Sequence, residues 1–113
     1  MNHEMRLHPE PFELIKSGTK TIEMRLYDEK RRQIKEGDII TFTNRQTNEE
    51  IKTKVIKLHI YPSFQELYKH FDKISLGYNE DEIPNHDDMD IYYPKEKQKK
   101  YGVVGIEVKI INK

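Results

Sequence analysis

Cysteine and tryptophan are both missing from the 113-residue chain, and the first absence removes the most chemistry. Without a thiol there is no disulfide, no cysteine nucleophile and no cysteine-ligated zinc. No apolar run approaches the roughly 18 residues of a membrane span, and nothing resembles a secretory leader; a soluble, cytoplasmic protein with no membrane partner is expected. Glycine and proline are scarce, five of each, and neither gathers into a linker. One domain over residues 1–113 is therefore expected, with a lean core, since only 35% of the residues are hydrophobic. There is no Gly-rich phosphate loop and no nucleophile-elbow serine, and the residue pattern points to no cofactor.

Net charge is missing as well. The 20 basic and 20 acidic residues cancel, which argues against strong non-specific binding to nucleic acid, a mode that needs many phosphate contacts. The signs are unevenly placed, however. Residues 61–94 carry 2 basic and 8 acidic groups, whereas 95–113 carry 6 and 2. A local basic groove facing an acidic back is compatible with that distribution. The runs Lys30-Arg31-Arg32 and Lys95 to Lys100 are candidate walls or ordinary solvated surface, and Tyr92, Tyr93 and Tyr101 beside the second run are candidate stacking faces for a base or simple cover for the core.

What is present is organised around Gly18-Thr19-Lys20-Thr21-Ile22-Glu23-Met24-Arg25. Upstream, Glu4 to Leu7 reads as a short strand. Pro9 and Pro11 permit a helix start, Phe12 and Ile15 give that helix a buried stripe, and Gly18 ends it. If Thr21 to Leu26 is a strand, its side chains alternate between faces. Ile22, Met24 and Leu26 then pack inward, while Thr21, Glu23 and Arg25 share the other face and Lys20 leans towards them. An amine, a carboxylate and a guanidinium so concentrated form either a surface ion pair worth little or a site for a polar ligand.

Downstream, Tyr27 to Lys35 reads as a loop or one irregular turn. Ile39 to Thr43 is a strand by its β-branched content, and Asn44 to Asn48 turns it back along Glu50 to Ile60. The apolar face of that return strand switches near Val55-Ile56, which predicts a bulge or a barrel corner. Ser63-Phe64-Gln65-Glu66 is a capping box opening a helix to about Phe71. Residues 72–90 form an acidic excursion over the barrel, Met89 to Tyr93 one helical turn, and Pro94 to Lys100 a helix. Val103 to Ile111 is a strand apolar enough to be central. The sum is α+β: a small mixed β-barrel with flanking helices.

The pattern Gly-x-Lys-x-x-Glu-x-Arg at Gly18, Lys20, Glu23 and Arg25 resembles the signature of ASCH domains, relatives of the PUA-like RNA-binding barrels. The resemblance continues through Met5 to Lys16 and the closing Tyr101-Gly102-Val103-Val104-Gly105-Ile106-Glu107. It implies a PUA-like barrel with a cleft floored by Lys20, Glu23 and Arg25, and an RNA, nucleoside or nucleotide partner. Lys20 and Arg25 can take a phosphate or carbonyl oxygen and Glu23 a base's amino edge; Tyr101 and Arg32 complete the expected ligand-binding set.

One branch of that family hydrolyses the acetyl amide of acetylated cytidine with a threonine nucleophile beside the signature lysine. Lys20 matches; the threonine is replaced by Glu23, and a carboxylate cannot take over a hydroxyl's acyl-transfer step. An amidohydrolase here needs Lys20 and Glu23 as a catalytic pair acting through water. Metal-dependent RNA cleavage is the third reading. It rests on His86-Asp87-Asp88-Met89-Asp90, which lacks calcium-loop spacing, so no metal site is expected.

Overall fold

The computed structural model describes residues 1–111; the last two residues of the expected domain lie outside them. Five strands carry the fold: β1 (Asn2–Leu7), β2 (Ile22–Leu26), β3 (Ile39–Asn44), β4 (Glu50–Tyr61) and β5 (Val103–Ile110). They lie in the order β1-β3-β4-β5-β2, with β1 parallel to β3 and every other pair antiparallel. β1 and β2 are the two edges, and the sheet curls until they face each other. The Arg25 guanidinium spans the seam, its Nη2 donating to the Arg6 carbonyl at 3.3 Å. The result is a curled half-barrel with helices on its flanks, the expected α+β class.

Helix α1 (Pro9–Lys16) buries Phe12 and Ile15 and ends at Gly18, whose φ of +85° is the left-handed stop that glycine accepts without a Cβ penalty. The register of β4 against β5 shifts between Val55 and Lys57. Ile51, Thr53 and Val55 point inward before the shift, Ile56 is pushed out to solvent, and Leu58 packs against the core after it. The predicted bulge is therefore present. Ser63 caps α2 (Phe64–Tyr68), accepting from the Glu66 amide at 3.2 Å. The excursion is more ordered than its composition suggested, holding α3 (Lys73–Leu76) and the start of a 3-10 turn (His86–Ile91), and α4 (Lys95–Tyr101) follows where a helix was expected.

Two apolar clusters form the core. The larger fills the concave side of the sheet beneath α1, with Met5, Leu7, Phe12, Phe42, Val104 and Ile106 among its members. The smaller lies on the other face of β2 and β5, where Ile22, Met24 and Leu26 pack against Phe64, Leu67 and Leu76. This corrects one expectation. The apolar side of β2 faces the helices, whereas Glu23 and Arg25, paired in register with Ile106 and Val104, share the face of the barrel interior. The polar residues sit at the seam where no backbone pairing closes the barrel.

Candidate functional site

A cleft of about 410 Å³ opens between the β1–α1 corner and the excursion, within the size range of small-molecule sites. Its floor is the signature cluster. Lys20 and Glu23 are both only 6% exposed, and each charge is compensated locally. Glu23 is the hub: its Oε2 accepts from Arg25 Nε at 2.7 Å, and its Oε1 lies 3.6 Å from Lys20 Nζ. The Lys20 amine also donates to the Leu76 carbonyl at 2.9 Å, reaching across 56 residues to tie β2 to α3.

The surroundings shift these groups. Burial pulls the Lys20 amine below the ordinary ammonium value, with Glu23 opposing and Arg25 adding to the fall. Burial works in the same direction on Arg25 but is outweighed by Glu23 and by the Tyr93 hydroxyl, so its guanidinium is held above its usual value and stays charged. Tyr68, Tyr78 and Tyr93 are all raised, desolvation being the main cause in each, and remain neutral phenols.

Gly77 makes the arrangement possible. It closes α3 at φ +106°, and a Cβ there would stand 3.0 Å from Lys20 Cδ. The lysine stem therefore runs directly beneath a bare backbone. Above it α2, the excursion and the residues just after it supply the walls. The Tyr68 and Tyr78 hydroxyls are 2.9 Å apart, Tyr78 donates to Asp88 Oδ2 at 2.8 Å, and Tyr92 and Tyr93 complete the lining. Opposite them stand Arg6, His8 and Arg45.

Of the residues expected in the site, Lys20, Glu23 and Arg25 converge. Tyr101 and Arg32 do not line the cleft: Arg32 donates to the Tyr101 carbonyl at 3.1 Å and lies 4.3 Å over the Tyr27 ring, while Tyr101 covers the smaller core cluster. Tyr92 and Tyr93 reach the cleft. Sequence reading missed Tyr68, Tyr78, Arg6 and Arg45. Tyr68 falls on a core-facing helix stripe, and only contact across the fold shows that its hydroxyl end reaches the cleft.

The acids of 86–90 are engaged with side chains of the excursion and α4. Asp88 takes the Tyr78 hydroxyl, Asp90 accepts from Gln98 at 2.9 Å, and Asp87 pairs with His86 at 3.1 Å. Among the described residues no group of three or more His, Asp or Glu is placed to hold a metal ion. His59 is likewise satisfied, by Glu107 at 2.9 Å. No helix among the described residues is long and apolar enough to cross a membrane.

Comparison with known proteins shows the family and the fold. The crystal structure of hypothetical protein PH0355 superposes with a TM-score of 0.83 at 41% identity, covering 98% of this chain and 100% of that one. The solution structure of protein PF0455 from Pyrococcus furiosus gives 0.73 at 39% identity, with both chains fully covered. No curated protein matches. The model of the ASCH domain matches residues 5–112, a span that holds the curled sheet, the signature cluster and the cleft above it, and the chain belongs to the ASCH domain family.

Proposed function

We propose that the protein is a binding module for a ligand that carries a nucleobase: a nucleoside, a nucleotide or single-stranded RNA. The observation that supports this best is the neutralised floor beneath aromatic walls. Each oxygen of Glu23 faces one cation, yet a carboxylate oxygen has two acceptor positions. The unused positions suit the amino edge of a base. The neutral phenols of Tyr78 and Tyr93, with the exposed ring of Tyr92, offer faces on which the base can stack. RNA or nucleoside binding is also what is generally proposed for ASCH domains.

Amide hydrolysis is the second reading, favoured by one observation: the burial that lowers the Lys20 amine increases the share of it that is unprotonated at a given pH and so free to take a proton. Against it, no serine or threonine is among the residues lining the cleft. An acyl-enzyme route has no hydroxyl of the usual kind, and water activated at the Lys20–Glu23 pair would have to serve.

One preparation tests both. Acetylcytidine and the four nucleosides are added to the wild-type protein and to Lys20→Ala, with amide shifts followed by NMR and products by chromatography. Shifts at Lys20 to Arg25 and at Gly77 and Tyr78, without turnover, support the binding module. Cytidine released by the wild type but not by the variant establishes the hydrolase. A cleft that responds to none of these ligands overturns the nucleoside reading.

A further inference from the structure

We infer that the cleft holds a distinct anion subsite, formed by Arg6 and Arg45 at the β1–α1 corner, which takes a phosphate group attached to the base-bearing ligand. This rests on the reading above and narrows it from nucleosides to phosphorylated ligands. The reasoning begins with what the floor cannot do. Lys20 and Arg25 are the obvious phosphate binders in the sequence, but both are committed. Lys20 donates to the Leu76 carbonyl and faces Glu23; Arg25 donates to Glu23 and to the Arg6 carbonyl. A phosphate placed on them would also meet the Glu23 carboxylate at close range, and like charges repel.

The guanidiniums at the corner are in the opposite condition. Arg6 and Arg45 line the same cleft and are exposed. The backbone brings them together: β1 and β3 run parallel with Leu7 opposite Asn44, and the Arg45 amide donates to the Leu7 carbonyl at 2.8 Å. Arg6 makes one long contact, 3.4 Å to the Asn48 amide oxygen, and the Arg45 guanidinium makes no side-chain hydrogen bond or ion pair among the described residues. Two planar forks with free donors suit the oxygens of a phosphate. His8 and Glu10 line the cleft with them, Glu4, the acid nearest to Arg6 in the chain, does not line it, and Glu82 and Asp88 belong to the far wall. The cleft is thus electrically polar, cationic where β1 ends and acidic across the excursion. A ligand with an amino-bearing base at one end and a phosphate at the other fits that polarity in one orientation only.

The test compares cytidine, cytidine 5′-monophosphate and a cytidine dinucleoside monophosphate on the wild type and on the Arg6→Gln/Arg45→Gln variant, by NMR titration that includes the arginine Nε–H signals. The expected result is a preference for the monophosphate over cytidine of about tenfold or more that falls to near one in the variant. A preference shared by the dinucleoside monophosphate assigns the subsite to a strand phosphate; a preference confined to the monoester assigns it to a free nucleotide. A ratio near one in the wild type, or a ratio the variant does not change, overturns the subsite. If cytidine does not bind at all, the nucleobase reading falls, and the subsite is then judged by inorganic phosphate: shifts at the Arg6 and Arg45 Nε–H signals uphold it, and unmoved signals overturn it.

Discussion

Glu23 is the residue on which the site's electrostatics depend, because two buried cations share it. Glu23→Ala leaves both Lys20 and Arg25 without their counter-charge, and removing one member of a buried ionic group costs about 3–5 kcal/mol. Lys20→Met removes a buried ammonium and leaves Glu23 paired with Arg25, so its cost should be clearly smaller, even with the Leu76 carbonyl losing a donor. Urea unfolding of both variants at neutral pH checks the order, and a Lys20→Met cost equal to that of Glu23→Ala would show that the lysine, not the glutamate, is the hub. The pH dependence follows with its sign. The folded-state value for Lys20 lies below 10.5, so in the alkaline window beneath that value the unfolded chain binds the extra proton. Stability contributed through Lys20 rises with pH across the window. The raised tyrosines Tyr68, Tyr78 and Tyr93 act oppositely, but only as pH approaches their unfolded value of 10.0 and beyond. The difference between the wild type and Lys20→Met, measured from pH 7 to about 9.5, isolates the lysine: the wild type should gain relative to the variant.

Among the elements, α3 and its glycine stop connect packing to the site. Gly77→Ala forces a Cβ into the left-handed region at φ +106° and into contact with the Lys20 stem at 3.0 Å. The backbone strain alone costs about 1–2 kcal/mol, and the stem has to shift, which moves the amine away from the Leu76 carbonyl. Ligand affinity should therefore fall along with stability, whereas the same substitution at Gly18, where a Cβ meets nothing within 4 Å, should cost stability without changing affinity. At the opposite edge of the sheet, Asp38 fastens β1 to β3. Hydrogen bonds from His3 at 2.8 Å and from the Lys35 amide at 2.9 Å, helped by the terminal amine, hold its carboxyl at about 2 instead of 3.8. A depressed carboxylate stabilises the fold above its unfolded value and ceases to do so as pH falls through its folded one. Wild type should lose stability between about pH 4 and pH 2 through this group, and Asp38→Asn should flatten that part of the acid limb in a thermal-melt series.

These elements also show what could be read from the chain. The Gly18 stop, the Ser63 cap and the bulge beside Val55 were legible because each is a local steric or hydrogen-bonding demand, written in adjacent residues. The strand at Ile22–Leu26 was legible by its alternation, but its orientation was not. A period of two separates the faces without saying which of two apolar clusters covers the hydrophobic one. Lys20, Glu23 and Arg25 could be named because one strand gathers them. Tyr68, Tyr78, Arg6 and Arg45 could not, since four elements far apart in sequence bring them to one cleft. Arg32 was attractive because it sits in one basic run and Tyr101 because it borders the other; in the fold Arg32 donates to the Tyr101 carbonyl instead.

At the scale of the whole molecule, charge placement sets how much nucleic acid can follow a base into the cleft. The chain is neutral, and the segment 61–94, which includes the excursion, carries 8 acids against 2 bases. Glu82 and Asp88 bring that excess to the lip of the cleft. A polyanionic strand leaving on that side meets repulsion, whereas the corner of Arg6 and Arg45 admits one or two phosphates. Affinity for single-stranded RNA should therefore reach its limit at two or three nucleotides. Its dependence on salt should be shallow as well, with a slope of log affinity against log salt of about −0.7 to −1.4, the value for one or two phosphates neutralised on a single strand. Fluorescence titration of oligocytidines of increasing length, at several salt concentrations, measures both quantities. Affinity that keeps climbing with length, with a slope steeper than about −3, would mean that a strand tracks across the basic runs at Lys30 to Arg32 and Lys95 to Lys100. Recognition would then belong to the outer surface of the protein and not to the cleft.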